Sequence, residues 1–216
     1  LGDVYKRQIQ IALKNLGNGG EIITTPFSYV ATTASIVWEN CTPVFVDIEP
    51  LTYCIDTSQI EEMITDKTVA ILAPNLMGNL CDWKTIREIA DKYNLFVLQD
   101  AAHALETEHD GNKIGNTDHA AAFSFYANKN LTTGGEGGAV TTNNSNLAER
   151  VKKLSLHGIT KDGWNRFKTH GNWEYDIVEM GYKYNLTDYA ASFGLWQLGQ
   201  INGWQRRRLE IVTKYN

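Results

Sequence analysis

Apolar and polar positions along the chain switch repeatedly between a helical and an extended rhythm. "QIQIALKNLG" (8–17) places apolar residues at helical spacing and runs out at glycine, predicting a first helix. "EIITTP" (21–26) is a β-branched strand closed by Pro26, and "YVATTASIVWEN" (29–40) predicts a helix despite its threonines. A strand "PVFVDI" (43–48) follows, then a helix over "DTSQIEEMI" (56–64) with Asp56 or Thr57 as its N-cap. Beyond it come a strand "TVAILAP" (68–74), an amphipathic helix "DWKTIREIADKYN" (82–94) with Ile86 and Ile89 on its apolar side, and a strand "LFVLQD" (95–100). A polar hairpin is predicted around "DGNK" (110–113). "AAAFSFY" (120–126) and "GGAVTTN" (137–143) read as strands and "NLAERVKKLSLHG" (146–158) as a helix. Residues 159–183 are irregular and rich in Trp, Gly and charge, the composition of a functional loop. A long helix closes the chain (185–212). Ala190, Phe193, Gly194, Leu198 and Ile201 fall on one side of it, and Asn185 and Thr187 stand at its start.

Strands alternating with helices, several strands being apolar throughout, predict an α/β fold with a mainly parallel central sheet covered by helices on both faces. Ligands of such sheets bind beyond the carboxyl ends of the strands. Asp100, Lys129 and the polar residues after "ILAP" all lie at such ends, so one site can collect them.

Composition narrows the function. The 216 residues are 43% hydrophobic and 21% charged, ordinary for a globular protein with a real core. A net charge of −5, with Arg206–Arg208 as the densest basic run, argues against nucleic acid as a partner. No apolar stretch is long enough for a transmembrane helix. Cys41, Cys54 and Cys81 are odd in number and far apart, which fits neither a disulfide framework nor a zinc motif and points to a reducing cytoplasm. The opening "LGDVYKRQ" has neither a methionine nor a secretory pattern, so residues 1–8 read as a non-native leader. Residues 9–216 then form one large domain truncated at both ends, since "RRRLEIVTKYN" carries no helix stop signal.

Three stretches carry candidate chemistry. In "VLQDAAHA" a carboxylate, Asp100, follows an apolar strand directly; alone it could be a helix cap. In "FSFYANKNLTTGGEGGAV" a single lysine, Lys129, stands five residues after Ser124 and just before a loop with four glycines; alone it could be a solvated loop lysine. In "GYKYNLTD", Asn185 or Thr187 could simply cap the last helix. Taken together, an amine nucleophile and a carboxylate able to hold a proton on a pyridine nitrogen are what pyridoxal 5'-phosphate chemistry needs, with Lys129 forming the Schiff base. Competing chemistries have less support. The chain has no GxxxxGK[ST], no GxGxxG after the first strand, no GxSxG, and no metal-ligand spacing among His103, His109, His119, His157 and His170.

These stretches, with "GGEIITTPFSYVATTASI" and "TPVFVDIEPLTYCID", resemble the DegT/DnrJ/EryC1/StrS family of pyridoxal-phosphate-dependent sugar aminotransferases in family order from about residue 9 to the end. The resemblance implies the large domain of the aspartate-aminotransferase fold (PLP fold type I), with the C-terminal small domain missing. It implies Lys129 as the Schiff-base lysine, Asp100 as partner of the pyridine nitrogen and His103 beside the ring. It further implies Tyr29 stacked on the ring, Ser124 on the phosphate, and Asn185 reaching the phosphate in a neighbouring subunit, hence a homodimer with shared sites. The implied reaction moves an amino group from an amino acid, by family habit glutamate, to a nucleotide-linked keto-sugar. "GYKYNLTD" and "HGITKDGWNRF" look most like members acting on UDP-4-keto-hexoses. Two departures stand out: "TTGGEGG" carries one glycine more than the family pattern, and the glycine–threonine turn that should precede the first helix is absent, so the fragment is expected to be inactive by itself. Alternatives are a sugar dehydratase relative, in which histidine replaces the lysine, and a non-catalytic regulatory or assembly module.

Overall fold

The computed structural model describes residues 4–14, 16, 19–109, 111–160 and 175–216. Most of the predicted 159–183 loop therefore lies outside the described residues. The helices are α1 (Val4–Lys14), α2 (Val30–Trp38), α3 (Trp83–Tyr93), α4 (Ser145–Leu154) and α5 (Asp188–Tyr215). The strands are β1 (Glu21–Thr24), β2 (Thr42–Phe45), β3 (Thr68–Pro74), β4 (Phe96–Asp100), β5 (Glu108–His109), β6 (Asn112–Lys113), β7 (Ala120–Ser124) and β8 (Gly138–Thr141). Six strands form one sheet in the order β2-β1-β3-β4-β7-β8, parallel except for β8, which runs antiparallel to β7. β5 and β6 form the polar hairpin.

Alternate residues of each strand feed opposite faces of the sheet. Ile22, Ala70, Leu72, Leu98, Ala120 and Ala122 pack in one cluster with Ile9, Leu13, Ile36 and Leu147 from α1, α2 and α4. Ile23, Ile71, Ala73 and Val97 pack in the other with Trp83, Ile86 and Ile89 of α3. Each fully buried Ile or Leu contributes about 1.5–3 kcal/mol, so the doubly covered sheet is the main source of stability and a rigid platform at its carboxyl edge. α3 shows how its ends are set. The Asp82 carboxylate accepts from the Thr85 N–H at 3.1 Å, and Asn94 closes the helix in the left-handed region at φ 53°.

The helix expected over 56–64 does not form; two 3-10 turns, 57–59 and 61–63, stand there instead. Asp56 accepts from the Ser58 N–H, the Ser58 hydroxyl and the Gln59 amide, and these local bonds hold the backbone in a tight turn. Only Ile60 is buried, so no apolar stripe exists to extend the turn into an α-helix. The last helix forms as expected, capped by Thr187 and not Asn185. Its buried side is narrower than the pattern implied: Gly194, Gln197 and Ile201 are buried, whereas Phe193 and Leu198 remain 42% and 47% exposed.

Candidate active site

β3, β4 and β7 end side by side, with Asp100 level with Pro74 on one strand and Ala122 on the other. Asp100 is 4% exposed at the last position of β4. Its Oδ2 accepts from the Thr32 hydroxyl of α2 at 2.8 Å, and its Oδ1 from the Ala102 N–H at 3.2 Å. The Thr32 hydroxyl in turn meets that of Ser28 at 2.9 Å. No helix starts after Asp100; the chain turns instead, so the helix-cap reading does not apply.

Lys129 lies on the excursion between β7 and β8. Phe125 N–H donates to Gly137 O (2.8 Å), Ala127 N–H to Gly135 O (3.0 Å) and Lys129 N–H to Tyr126 O (3.0 Å), tying the loop back on itself. The glycines make this fold possible in two ways. Gly134 and Gly135 take φ of 88° and 140°, which disfavour any side chain. At Gly137 a Cβ would stand 1.9 Å from the Thr133 hydroxyl oxygen.

Asp100, His103, Ser124, Tyr29 and Lys129 all line one cavity of about 380 Å³. A second cavity of about 300 Å³ shares His103, Ser124 and Lys129 with it. Ser124 is buried, and its Oγ accepts from the Tyr126 N–H at 3.3 Å. Tyr29 precedes α2 and is 59% exposed. The His103 Nδ1 accepts from the Met77 N–H at 3.2 Å. Its pKa is lowered by burial and then by the Lys129 charge, with Asp100 opposing, which keeps the imidazole neutral at neutral pH. Asn185 is not among the residues lining this cavity. It is exposed, and its Oδ1 accepts from Lys183 Nζ at 2.6 Å.

The model of the DegT/DnrJ/EryC1/StrS aminotransferase family matches residues 7–216. The chain belongs to this family. The spore coat polysaccharide biosynthesis protein SpsC of Bacillus subtilis is 42% identical over 207 residues, covering 96% of this chain and 53% of SpsC. Among solved structures, Spr1654 of Streptococcus pneumoniae in its PMP-form superimposes with a TM-score of 0.89 at 33% identity, covering 99% of this chain and 59% of that one. The same protein has been solved in a PLP-form. DesI, solved in the presence of its TDP-sugar product, matches with a TM-score of 0.79 at 32% identity, covering 92% of this chain and 47% of DesI. The chain spans about half the length of the curated relatives it matches.

The DegT-type chain has the donors and acceptors that a pyridoxal phosphate would require. A buried carboxylate and an amine share one cavity, with the Ser124 hydroxyl beside them. Two more residues complete the site: Thr32, which sequence reasoning did not single out, and Asn75, one of the polar residues after "ILAP" that it placed at the strand end. Thr32 fixes the orientation of Asp100. Asn75, 1% exposed, lines the cavity; its Oδ1 is held by the Cys81 N–H (3.2 Å) and Trp83 Nε1 (3.0 Å), while its buried Nδ2 has no hydrogen-bond partner among the described residues. Such a donor costs about 1–3 kcal/mol unless an occupant of the cavity accepts from it. The sequence gives a signal for Asn75, a polar residue directly after a buried strand. It gives none for Thr32, whose role depends on how α2 sits over β4.

Proposed function

We propose that this chain carries the cofactor site of a pyridoxal-phosphate-dependent aminotransferase acting on a nucleotide-linked keto-sugar, with glutamate as amino donor. A UDP-4-keto-hexose is the favoured acceptor, and amino-sugar or surface-polysaccharide biosynthesis in the cytoplasm is the setting. The observation that carries this reading is the meeting of Asp100 and Lys129, from different parts of the chain, in one cavity with His103 and Ser124. Family membership and the TDP-sugar product in whose presence DesI was solved support the substrate class.

When bound, the cofactor supplies an aldehyde to link amines and a ring that takes up electrons. The chain's own groups account for the rest. The Lys129 amine attacks as nucleophile and, once released, carries a proton between donor and cofactor. Asp100, buried and aligned by Thr32 and Ala102, would hold a proton on the ring nitrogen. The Ser124 hydroxyl would hold the phosphate, the exposed Tyr29 ring would cover one side of the cofactor, and neutral His103 would border it. Asn185 serves the cofactor of a second copy, which makes the enzyme a homodimer with shared sites. The exposed position of Asn185, apart from the cavity of its own chain, is compatible with this.

The test is chemical. The protein is incubated with pyridoxal phosphate, reduced with borohydride and mapped by peptide mass spectrometry. The label is expected on Lys129, with a yellow colour before reduction. A label on Lys67 or Lys152 instead would overturn the assignment.

A further inference from the structure

The loop that carries Lys129 rests on a helix that contributes no residue to the wall of either cavity around the lysine. That helix is α5. The Thr132 N–H donates to Gln197 Oε1 at 2.9 Å, and Arg208 Nη2 donates to the Asn130 carbonyl at 3.2 Å. Gly194 lets the two come together: a Cβ there would stand 2.7 Å from Thr133 Cγ2. Gly194, Gln197, Ile201 and Arg208 recur at spacings of three, four and seven, so one stripe of α5 faces the loop. Gln197 is 7% exposed and Ile201 4%, so the middle of this contact is closed to water.

Before Lys129 the loop is tied to its own hairpin through Phe125, Ala127 and Tyr126. After Lys129, Asn130 and Thr132 are tied to α5, and the chain returns to its own hairpin only at Thr133, whose N–H donates to Phe125 O at 3.2 Å. We propose that Gln197 and Arg208 are positioning residues for Lys129: they fix the chain on its carboxyl side and so aim the amine into the cavity. The inference rests on reading Lys129 as the nucleophile. A shift of about 1 Å in a reacting group is enough to cost on the order of 100-fold in rate, so two bonds one and three residues from the nucleophile can govern its reactivity without touching it.

The test uses Gln197→Met, which keeps length and loses the acceptor, Gln197→Glu, which keeps the acceptor, and Arg208→Ala beside Arg208→Lys. Three quantities are read. Amide hydrogen exchange is followed at Thr132 and in β4 and β7. The pH profile of Lys129 acetylation by acetic anhydride is measured without cofactor. The rate at which Lys129 captures pyridoxal phosphate is measured by borohydride trapping; there the lysine nitrogen bonds to the aldehyde carbon, water leaves, and borohydride reduces the resulting C=N bond. Gln197→Met should speed Thr132 exchange about tenfold with β4 and β7 unchanged, displace the acetylation profile, and slow capture about tenfold. Gln197→Glu should restore capture to within about threefold of the starting protein. Should Gln197→Met lose β4 and β7 protection as well, the Arg208 pair decides: slowed capture and a displaced profile in Arg208→Ala, restored in Arg208→Lys, support the proposal. It is overturned if exchange at Thr132 rises while the acetylation profile and capture rate stay unchanged, or if neither Arg208 variant moves them. If the unsubstituted protein gives no label on Lys129, the aminotransferase reading fails by itself, and the acetylation profiles still report whether α5 aims the amine.

Discussion

Replacing Asp100 by Asn separates the structural work of this carboxylate from its chemical work. The Ala102 N–H can only donate, so the amide oxygen of the new side chain must face it, and the NH₂ group must face Thr32. The Thr32 hydroxyl can accept from that NH₂ group if it turns its own hydrogen towards Ser28, 2.9 Å away. The network therefore survives with the Thr32 and Ser28 hydroxyl hydrogens both turned, and two charge-assisted bonds become neutral ones at a cost of about 1–2 kcal/mol in stability. The chemical cost is larger. A preorganised charge set against charge that develops in the transition state is worth about 2.7–4 kcal/mol, or roughly 100- to 1,000-fold in rate. Stopped-flow measurement of the half-reaction with glutamate in full-length protein with and without the substitution, beside chemical denaturation of both, reads the two costs separately. The expected outcome is retained cofactor binding, a small loss of stability and a half-reaction slowed by at least about 100-fold. A half-reaction at the normal rate beside the stability loss would show that Asp100 merely anchors the turn that follows β4.

Two further outcomes test assembly and pH response. In full-length protein, mixing a Lys129→Ala subunit with one disabled at Asn185 by a substitution that blocks the phosphate pocket should restore activity once exchange of subunits is verified, since one site of each mixed dimer then carries neither lesion; verified mixed dimers that stay inactive refute the shared site. His119, whose Nδ1 accepts from the Val97 N–H at 3.2 Å, has its pKa lowered, first by burial, with Arg87 acting in the same direction and Asp91 and Asp118 against it. The unfolded chain thus binds a proton more readily than the fold does, so this residue costs no stability above its ordinary pKa of 6.5 and an increasing amount as pH falls below it. His119→Gln should flatten the fall in melting temperature between about pH 7 and pH 5, and an unchanged slope would refute the assignment.

The sheet and its helices were legible because their signals are redundant. β3, β4 and β7 are apolar on both faces, and α3 carries a cap, an apolar side and a left-handed stop. The stretch 56–64 misled because its polar residues satisfy one another locally, which periodicity does not register. Asp100 and Lys129 were legible because each follows a strand that the pattern marks. The grip of Thr32 on Asp100 and of Gln197 on Thr132 spans 68 and 65 residues, and nothing local in the sequence announces either contact. The exposed apolar residues of α5 show the same limit from the other side, since spacing identified an apolar side without telling which of its members the Lys129 loop would cover.

The position of α1 sets a condition on the order of folding. The first helix of the chain packs against α2, but also against β7, β8 and α4, more than a hundred residues later. Its Gln8 lies so close to Gly138 that a Cβ there would meet the Gln8 amide oxygen at 2.5 Å. During synthesis Ile9 and Leu13 therefore have no complete surface to bury against until β8 has left the ribosome. Contacts of such sequence separation are slow to close and leave apolar surface open in the meantime. A nascent chain stalled before Thr141 would leave the part of that helix face that β8 and α4 cover open, a site for chaperones or for aggregation.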